Sequence, residues 1–391
     1  MKTTMNDGKL VIALSGRLDA SNANDIEAEI MAAVAGHESD KICFDFEELE
    51  YISSAGLRVL MKLQKKSAQR IDIINVSRDV YEIFDTTGFT DMFNVKKAYR
   101  KISVDGLEII GTGFFGTVYR LDRETIVKVY KGQDSIPMIE NEKKMAQKAF
   151  LAGIPTAISY DIVKVGEDYG SVFELIDSQT FNEMAKNEEE PLEDVMRRYT
   201  DLLKKVHQTV MEPGELPSFK ERFLDYLEVI KKHLKDEHYE GLKKLLSAMP
   251  DENTVVHGDM QMKNVMSSAD EAMLIDMDTI GLGNPVFDLA ALFVTYQEFS
   301  EDDPDNPMYF LQMPNEKVDR IWELIIQYYF DFKDDKERCD TMTKIRLVAG
   351  IRFLFILETT DLKNSDLGRR RIEHTIEHFD ELLGTVDSLE I

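Results

Sequence analysis

The sequence predicts an α/β and α+β architecture in two parts: a small α/β domain, then a larger bilobal domain. Three observations carry this. At ~100–200 residues per domain, 391 residues make two or three domains. The charge is uneven: of the net −26, residues 1–100 hold −3 and the remainder −23. Strands alternate with helices in the first hundred residues, whereas the rest opens on strands and ends on long helical patterns. The boundaries expected are 1–100 for the small domain, 101–176 for a first lobe and 177–391 for a second, helical lobe.

Composition narrows the function. The chain is 43% apolar, enough for packed cores. No apolar run reaches the ~18 residues of a membrane span, and Met1–Gly8 lacks the apolar core of an export signal. Cys43 and Cys339 are far apart, which fits a reducing cytoplasm and excludes a disulfide scaffold or a cysteine-clustered zinc site. A charge of −26 repels phosphate backbones, so no nucleic-acid partner is expected, and no membrane partner. The acidity keeps the chain in solution or draws a cationic substrate.

In the first hundred residues, Leu10–Leu14 reads as a strand closed by Ser15-Gly16, and Asn22 or Asn24 caps a helix running to about Gly36. Lys41–Phe46 is a second strand. Ser53-Ser54 opens a helix with Leu57, Leu60 and Met61 on one face. Ile71–Ile74 is a third strand and Val80–Phe84 a short helix. The strings Gly16-Arg17-Leu18-Asp19 and Tyr51-Ile52-Ser53-Ser54-Ala55-Gly56-Leu57, with Gly88-Phe89 later, resemble the STAS domain of anti-sigma-factor antagonists. The resemblance implies a bacterial protein with a protein partner. It also implies a phosphoacceptor hydroxyl at the start of the central helix, here Ser54. Ser53 stands where that family usually has Asp, and Ala55 where it has a second hydroxyl. Read from the residues alone, Ser53 or Ser54 is simply a helix N-cap.

Residues 107–121 read as strand, glycine turn, strand. Gly111, Gly113 and Gly116 allow backbone amides to approach phosphates. A dinucleotide fold would need a helix after the last glycine, but Thr117-Val118-Tyr119 is β-branched and aromatic, so a hairpin is expected. Lys128 follows on the strand Thr125–Tyr130, in the place of a phosphate-holding lysine. Glu142, with Glu140 in reserve, is the carboxylate on the next helix that would position it. The glycine hairpin followed by Lys128 resembles the protein-kinase arrangement; that resemblance implies that the strand Ser171–Ile176 runs into an interlobe hinge, where the backbone at Glu174 and Ile176 would meet adenine.

Residues 255–290 carry the chemistry. His257-Gly258-Asp259 is followed by Asn264, then by Asp276 and by Asp288-Leu289-Ala290. Phosphoryl transfer needs such a set: one carboxylate for the acceptor hydroxyl, and an Asn and an Asp for magnesium. The pattern resembles aminoglycoside phosphotransferases and choline-kinase-like enzymes, which share the protein-kinase fold. The resemblance implies ATP and Mg2+ as cofactors. It implies Asp259 as catalytic base, Asn264 and Asp276 as metal ligands, His257 as structural and Asp288 as anchor of the loop. Gln261-Met262-Lys263 replaces the family's usual His-Pro-Gly, and Met277-Asp278 replaces Trp-Glu. His207 ends a helix in Leu-His fashion and reads as a satisfied, half-buried histidine.

Only 12 positions separate Asp276 from Asp288, too few for a peptide-binding platform. The expected reaction is transfer of the ATP γ-phosphate to a hydroxyl of a small molecule, cationic if the charge is read that way. Aromatics of Val318–Phe332 and Thr341–Glu358 are expected in the core, and Ser300–Asp305 as a solvated acidic turn. Two alternatives stand: a protein kinase acting on a STAS-domain serine, and a non-enzymatic nucleotide-sensing module in an anti-sigma-factor pathway.

Overall fold

The computed structural model describes every residue except 7, 38–40, 68, 113–115, 133–134, 177 and 269–270. The chain forms two compact units: Met1–Ser103 with Val163–Gly166, and Val104–Ile162 with Glu167–Ile391.

The first unit runs β1 (Lys2–Asn6), β2 (Lys9–Leu18), α1 (Ala23–Val34), β3 (Lys41–Ile52), α2 (Ser54–Gln64), β4 (Asp72–Val76), α3 (Arg78–Thr86), α4 (Phe89–Met92), β5 (Asn94–Lys97) and β6 (Arg100–Ile102). Strands β1 to β5 pair in chain order; β1 is antiparallel to β2 and the others are parallel. The sequence reading misses β1 because all five of its residues are exposed. It is an edge strand held by backbone pairing, with no apolar alternation to betray it. β3 also runs past the expected Phe46, through the acidic stretch to Ile52.

The parallel strands bury Ile12, Phe44, Phe46 and Ile73, and α2 and α3 cover them with Leu60 and Phe84. Of the expected face, Leu57 and Leu60 are buried and Met61 only partly so; Leu63 completes the buried stripe of α2. Gly56 sets how closely α2 approaches. A Cβ there would lie 2.7 Å from side-chain atoms of both Leu18 and Ile52. Gly56→Leu should therefore overpack this contact and cost roughly 1–3 kcal/mol, read as a lower urea midpoint for the first unit; an unchanged midpoint would contradict the close approach.

The second unit opens with β7 (Ile109–Thr112), β8 (Gly116–Arg120), β9 (Thr125–Tyr130), α5 (Ser135–Leu151) and β11 (Asp168–Glu174); between α5 and β11 lies β10 (Asp161–Val165), whose residues from Val163 on belong to the first unit. β11, β9, β8 and β7 lie side by side, antiparallel throughout. The hairpin expected of residues 107–121 is thus present. Helix α5 runs from Ser135 with Pro137 in its first turn, where the missing N–H costs nothing.

Then come α6 (Phe181–Asn187), α7 (Leu192–Gln208), α8 (Phe219–Ile230), α9 (Asp236–Ala248), β12 (Val255–Val256), β13 (Val265–Ser268), β14 (Glu271–Leu274), β15 (Gly281–Leu282), α10 (Val286–Phe293), α11 (Phe299–Glu301), α12 (Asn306–Phe310), α13 (Asn315–Tyr329), α14 (Asp335–Thr359) and α15 (Asp366–Leu382). A π-helical turn, Val294–Glu298, joins α10 to α11. β12 pairs with β15, and β13 with β14. Every residue of α10 is buried, and α14 buries Ile345, Val348, Ile351, Leu354 and Leu357 along its length. Helices apolar on most sides belong in the middle of a bundle.

Trp322 and Phe353 are core residues, as expected. Tyr328 and Tyr329 are already faced by the chain's own Arg197 and Lys204. The acidic stretch is not a plain solvated turn. Ser300 is buried, and Glu301 pairs with Arg346 at 2.6 Å.

Candidate active site

On β9 the side chains alternate, so Val127 and Val129 enter the core while Lys128 faces the other way. Lys128 Nζ lies 3.2 Å from Glu142 Oε1 on α5 and 2.8 Å from Asp276 Oδ1. Tyr130 donates to Glu142 Oε2 at 2.5 Å. Glu142 is buried and Glu140 exposed, which decides between the two carboxylates. Burial alone would lower the Lys128 pKa, but the Glu142 and Asp276 carboxylates hold it above its ordinary value. Burial raises Glu142 despite the lysine.

Asp276 follows β14 and takes a left-handed backbone, φ +67°. Non-glycine residues pay for that conformation, and such strain gathers at functional sites. Nearby Asp278 is pushed up to about 7, by burial first and then by the Asp276 and Glu142 charges.

The loop after β12 is built around one buried carboxylate. Asp288 accepts from the backbone N–H of His257 at 2.8 Å and of Gly258 at 2.5 Å, and pairs with His207 Nε2 at 2.9 Å. Tyr329 meets the other ring nitrogen of His207 at 2.7 Å. Burial would raise the Asp288 pKa; its bonds and the charges of His207 and His257 lower it instead. Gly258 has φ +87°, and a Cβ there would sit 2.6 Å from Phe219, so this position demands glycine.

Asp259 projects from this loop. Its Oδ2 accepts from Gln261 Nε2 and from Asn264 Nδ2, both at 3.0 Å. Asn264 also donates to the Asp259 carbonyl at 2.8 Å, and its own carbonyl accepts from Ile275 N–H at 2.9 Å, the residue before Asp276. Base candidate and metal-ligand candidates are thus one bonded network. Tyr296 of the π turn accepts from Met262 N–H at 2.9 Å, and Tyr199 of α7 donates to the Met260 carbonyl, fixing the loop from beneath.

A cleft of about 490 Å³ is lined by Gly111, Gly116, Lys128, Glu142, Glu174, Ile176 and Asp276. That volume suits a nucleotide-sized ligand. Gly113 lies outside the described residues. Asp259 and Asn264 do not line the cleft; they adjoin it through Ile275. Ser54 is exposed at the start of α2 in the other unit, while Ser53 is the N-cap, its Oγ accepting from Ala55 N–H at 3.2 Å.

Two features escaped sequence reasoning. Arg352 of α14 places its guanidinium 3.9 Å from Asp259 Oδ1. Arg222 of α8 donates to the Thr279 carbonyl at 2.5 Å and is close enough for the Arg352 charge to act on it. Both stand in helices with no motif to mark them. Tyr130 was legible in principle, two residues from Lys128 on the same strand.

The glycines of the hairpin divide by role. A Cβ at Gly116 would fall 2.2 Å from the Val129 carbonyl, whereas at Gly111 it would make only ordinary contact with Val118. Gly116→Ala should cost stability, about 1–3 kcal/mol, while Gly111→Ala should leave the urea midpoint within ~0.5 kcal/mol of the parent. Equal effects would contradict the division.

Comparison with known proteins finds matches for both parts of the chain. A family model described as "Phosphotransferase enzyme family" matches residues 107–309, and a STAS domain model matches residues 1–102. Over 100 residues the chain is 37% identical to BtrV of Bordetella bronchiseptica, assigned by name to the anti-sigma factor antagonists; the match covers 24% of this chain and 85% of the relative. Similar solved structures include a GDP complex of wild-type aminoglycoside 2'-phosphotransferase-IIIa (13% identity, TM-score 0.47, 78% of this chain and 98% of that one). They also include aminoglycoside phosphotransferase APH(3'')-Id from Streptomyces rimosus (16% identity, TM-score 0.42, 64% and 93%). The chain belongs to the phosphotransferase enzyme family and carries an N-terminal STAS domain.

Proposed function

We propose that this protein is an ATP-dependent kinase of a small hydroxyl-bearing molecule, with the STAS domain as a regulatory or partner-binding module. The observation that carries the reading is the bonded series Lys128, Glu142, Asp276, Asn264 and Asp259, running from the cleft to its edge. On this reading residues 101–176 form the nucleotide lobe and 177–391 the acceptor lobe.

Each residue has a defined task. Lys128, fixed by Glu142, binds the α- and β-phosphates; a lysine locked by a buried carboxylate delivers its charge without first paying for its own ordering. Gly111, Gly113 and Gly116 let the hairpin backbone approach the phosphates. Glu174 and Ile176 offer backbone groups to adenine, since Leu175 N–H is turned to the Glu124 carbonyl at 2.7 Å. Asp276 and Asn264 present hard oxygen donors, which suit Mg2+. That ion, when bound, neutralises phosphate charge. Asp259, oriented by Gln261 and Asn264, accepts the proton of the acceptor hydroxyl as it attacks the γ-phosphorus.

The whole-chain charge suggested a cationic acceptor. Beside the base stand both signs: Arg352 lies 3.9 Å from Asp259, and the Asp259 and Asp276 charges act on the buried Asp278. The acceptor's charge is therefore left to the panel below. A second reading rests on Ser54: it is exposed at a helix N-terminus, where a phosphate is favoured, and Ser53 already serves as cap. On that reading the acceptor is a STAS-domain serine.

The test is incubation of the full chain with γ-labelled ATP, Mg2+ and a panel of hydroxyl-bearing amines, sugars and acids. A labelled small molecule is expected. Asp259→Asn should lower the rate ~10²–10⁴-fold with nucleotide affinity nearly unchanged. Undiminished turnover in that variant would remove Asp259 as the base. Label found only on protein and lost in Ser54→Ala would replace the small-molecule reading by the second one.

A further inference from the structure

A cluster of histidines and carboxylates lies where α15 meets the π turn and α11, and phosphoryl transfer makes no use of it. His374 and His378 are four residues apart on α15, so their rings share one face, with centroids 4.2 Å apart. Glu301 Oε2 lies 3.9 Å from His374 Nδ1 and 3.8 Å from His378 Nε2. Asp302 Oδ2 lies 3.4 Å from His374 Nδ1. Atoms bound tetrahedrally to zinc at ~2.0–2.1 Å sit about 3.4 Å from one another. His374, His378 and Glu301 are therefore already near the spacing a metal ion imposes, with Asp302 beside His374.

A second observation is independent of these distances. Glu298, the last residue of the π turn, is 2% exposed, and its Oε2 has no hydrogen-bond partner among the described residues. Its Oε1 points to the far nitrogen of His378, 4.0 Å from Nδ1. A carboxylate behind a ligating histidine fixes its tautomer and turns the other nitrogen's lone pair towards the metal. A buried, unpartnered carboxylate without such a task is costly.

The remaining charges fit. Glu298, Glu301 and Asp302 face two fixed cations. Arg371 is spent on the Phe299 carbonyl and on Asp302 and Asp303. Arg346 Nη2 lies 2.6 Å from Glu301 Oε1 and 2.9 Å and 3.3 Å from the two ring nitrogens of His378, so its guanidinium is the cation already beside the cluster. Its side chain is 30% exposed, and a long arginine can move its head into water.

We propose that His374, His378, Glu301 and Asp302 bind a divalent transition-metal ion, with Glu298 orienting His378 and Arg346 as the cation the metal displaces. Two imidazoles with carboxylates favour Zn2+, Co2+ or Ni2+ over Mg2+ or Ca2+. The site is separate from the Asp276–Asn264 pair and does not depend on the proposed reaction.

The test is titration of the tag-free, EDTA-stripped full chain with Co2+ and Zn2+, in excess Mg2+ to fill oxygen-only sites. Visible Co2+ absorption and calorimetry are the readouts. One saturable equivalent is expected. The double variant His374→Ala/His378→Ala should abolish it, and Glu298→Gln should weaken it ~10–100-fold. Arg346→Gln should tighten binding, which a purely structural ion network would not do. No saturable binding by the parent chain, or binding undiminished in the folded double variant, overturns the site. Unchanged or weaker binding in Arg346→Gln overturns the displacement.

Discussion

The buried carboxylate of Asp288 is the constraint on which the rest of the second unit depends. It sits in a helix otherwise composed of apolar side chains, with no contact with water. A lone charge there would be intolerable. It is tolerated because two backbone N–H groups and His207 all face it. Those same bonds dictate the path of His257 and Gly258, and therefore where Asp259 emerges. The cost of burying one charge is converted into a fixed loop.

From that loop the order spreads by short steps. Asn264 braces Asp259 and is tied through Ile275 to the strained Asp276, which reaches Lys128, which Glu142 holds. Lys128 and Asp276 are far apart in sequence, yet 2.8 Å apart in space. The loop is also supported from below by Tyr199 and Tyr296, neither of which needs to touch a substrate.

Much of this was legible in the sequence, for particular reasons. Asp259, Asn264 and Asp276 were singled out by their spacing, and the structure brings them together. β-branched residues after Gly116 separated a hairpin from a dinucleotide fold. Leu57 and Leu60 marked the buried face of α2, which Leu63 extends. What stayed hidden has a common cause: it depends on partners remote in sequence. β1 is defined only by the strand beside it. Arg352 gains meaning only because α14 passes Asp259. The gathering of Glu298, Glu301, His374 and His378 requires α15 to return to the π turn. The overall charge is silent for the same reason, since it says nothing of the sign at one carboxylate.

The most direct measurement of the central claim compares Asp288→Asn with the parent chain under conditions where both are folded. An asparagine cannot accept from both loop N–H groups with equal strength, and it removes the ion pair with His207. The phosphate-transfer rate should fall at least ~10-fold, the scale of ~1.4 kcal/mol in the transition state. ATP affinity should change little, because the cleft residues are untouched. An unchanged transfer rate in a folded Asp288→Asn protein would contradict the claim that this carboxylate sets the catalytic loop.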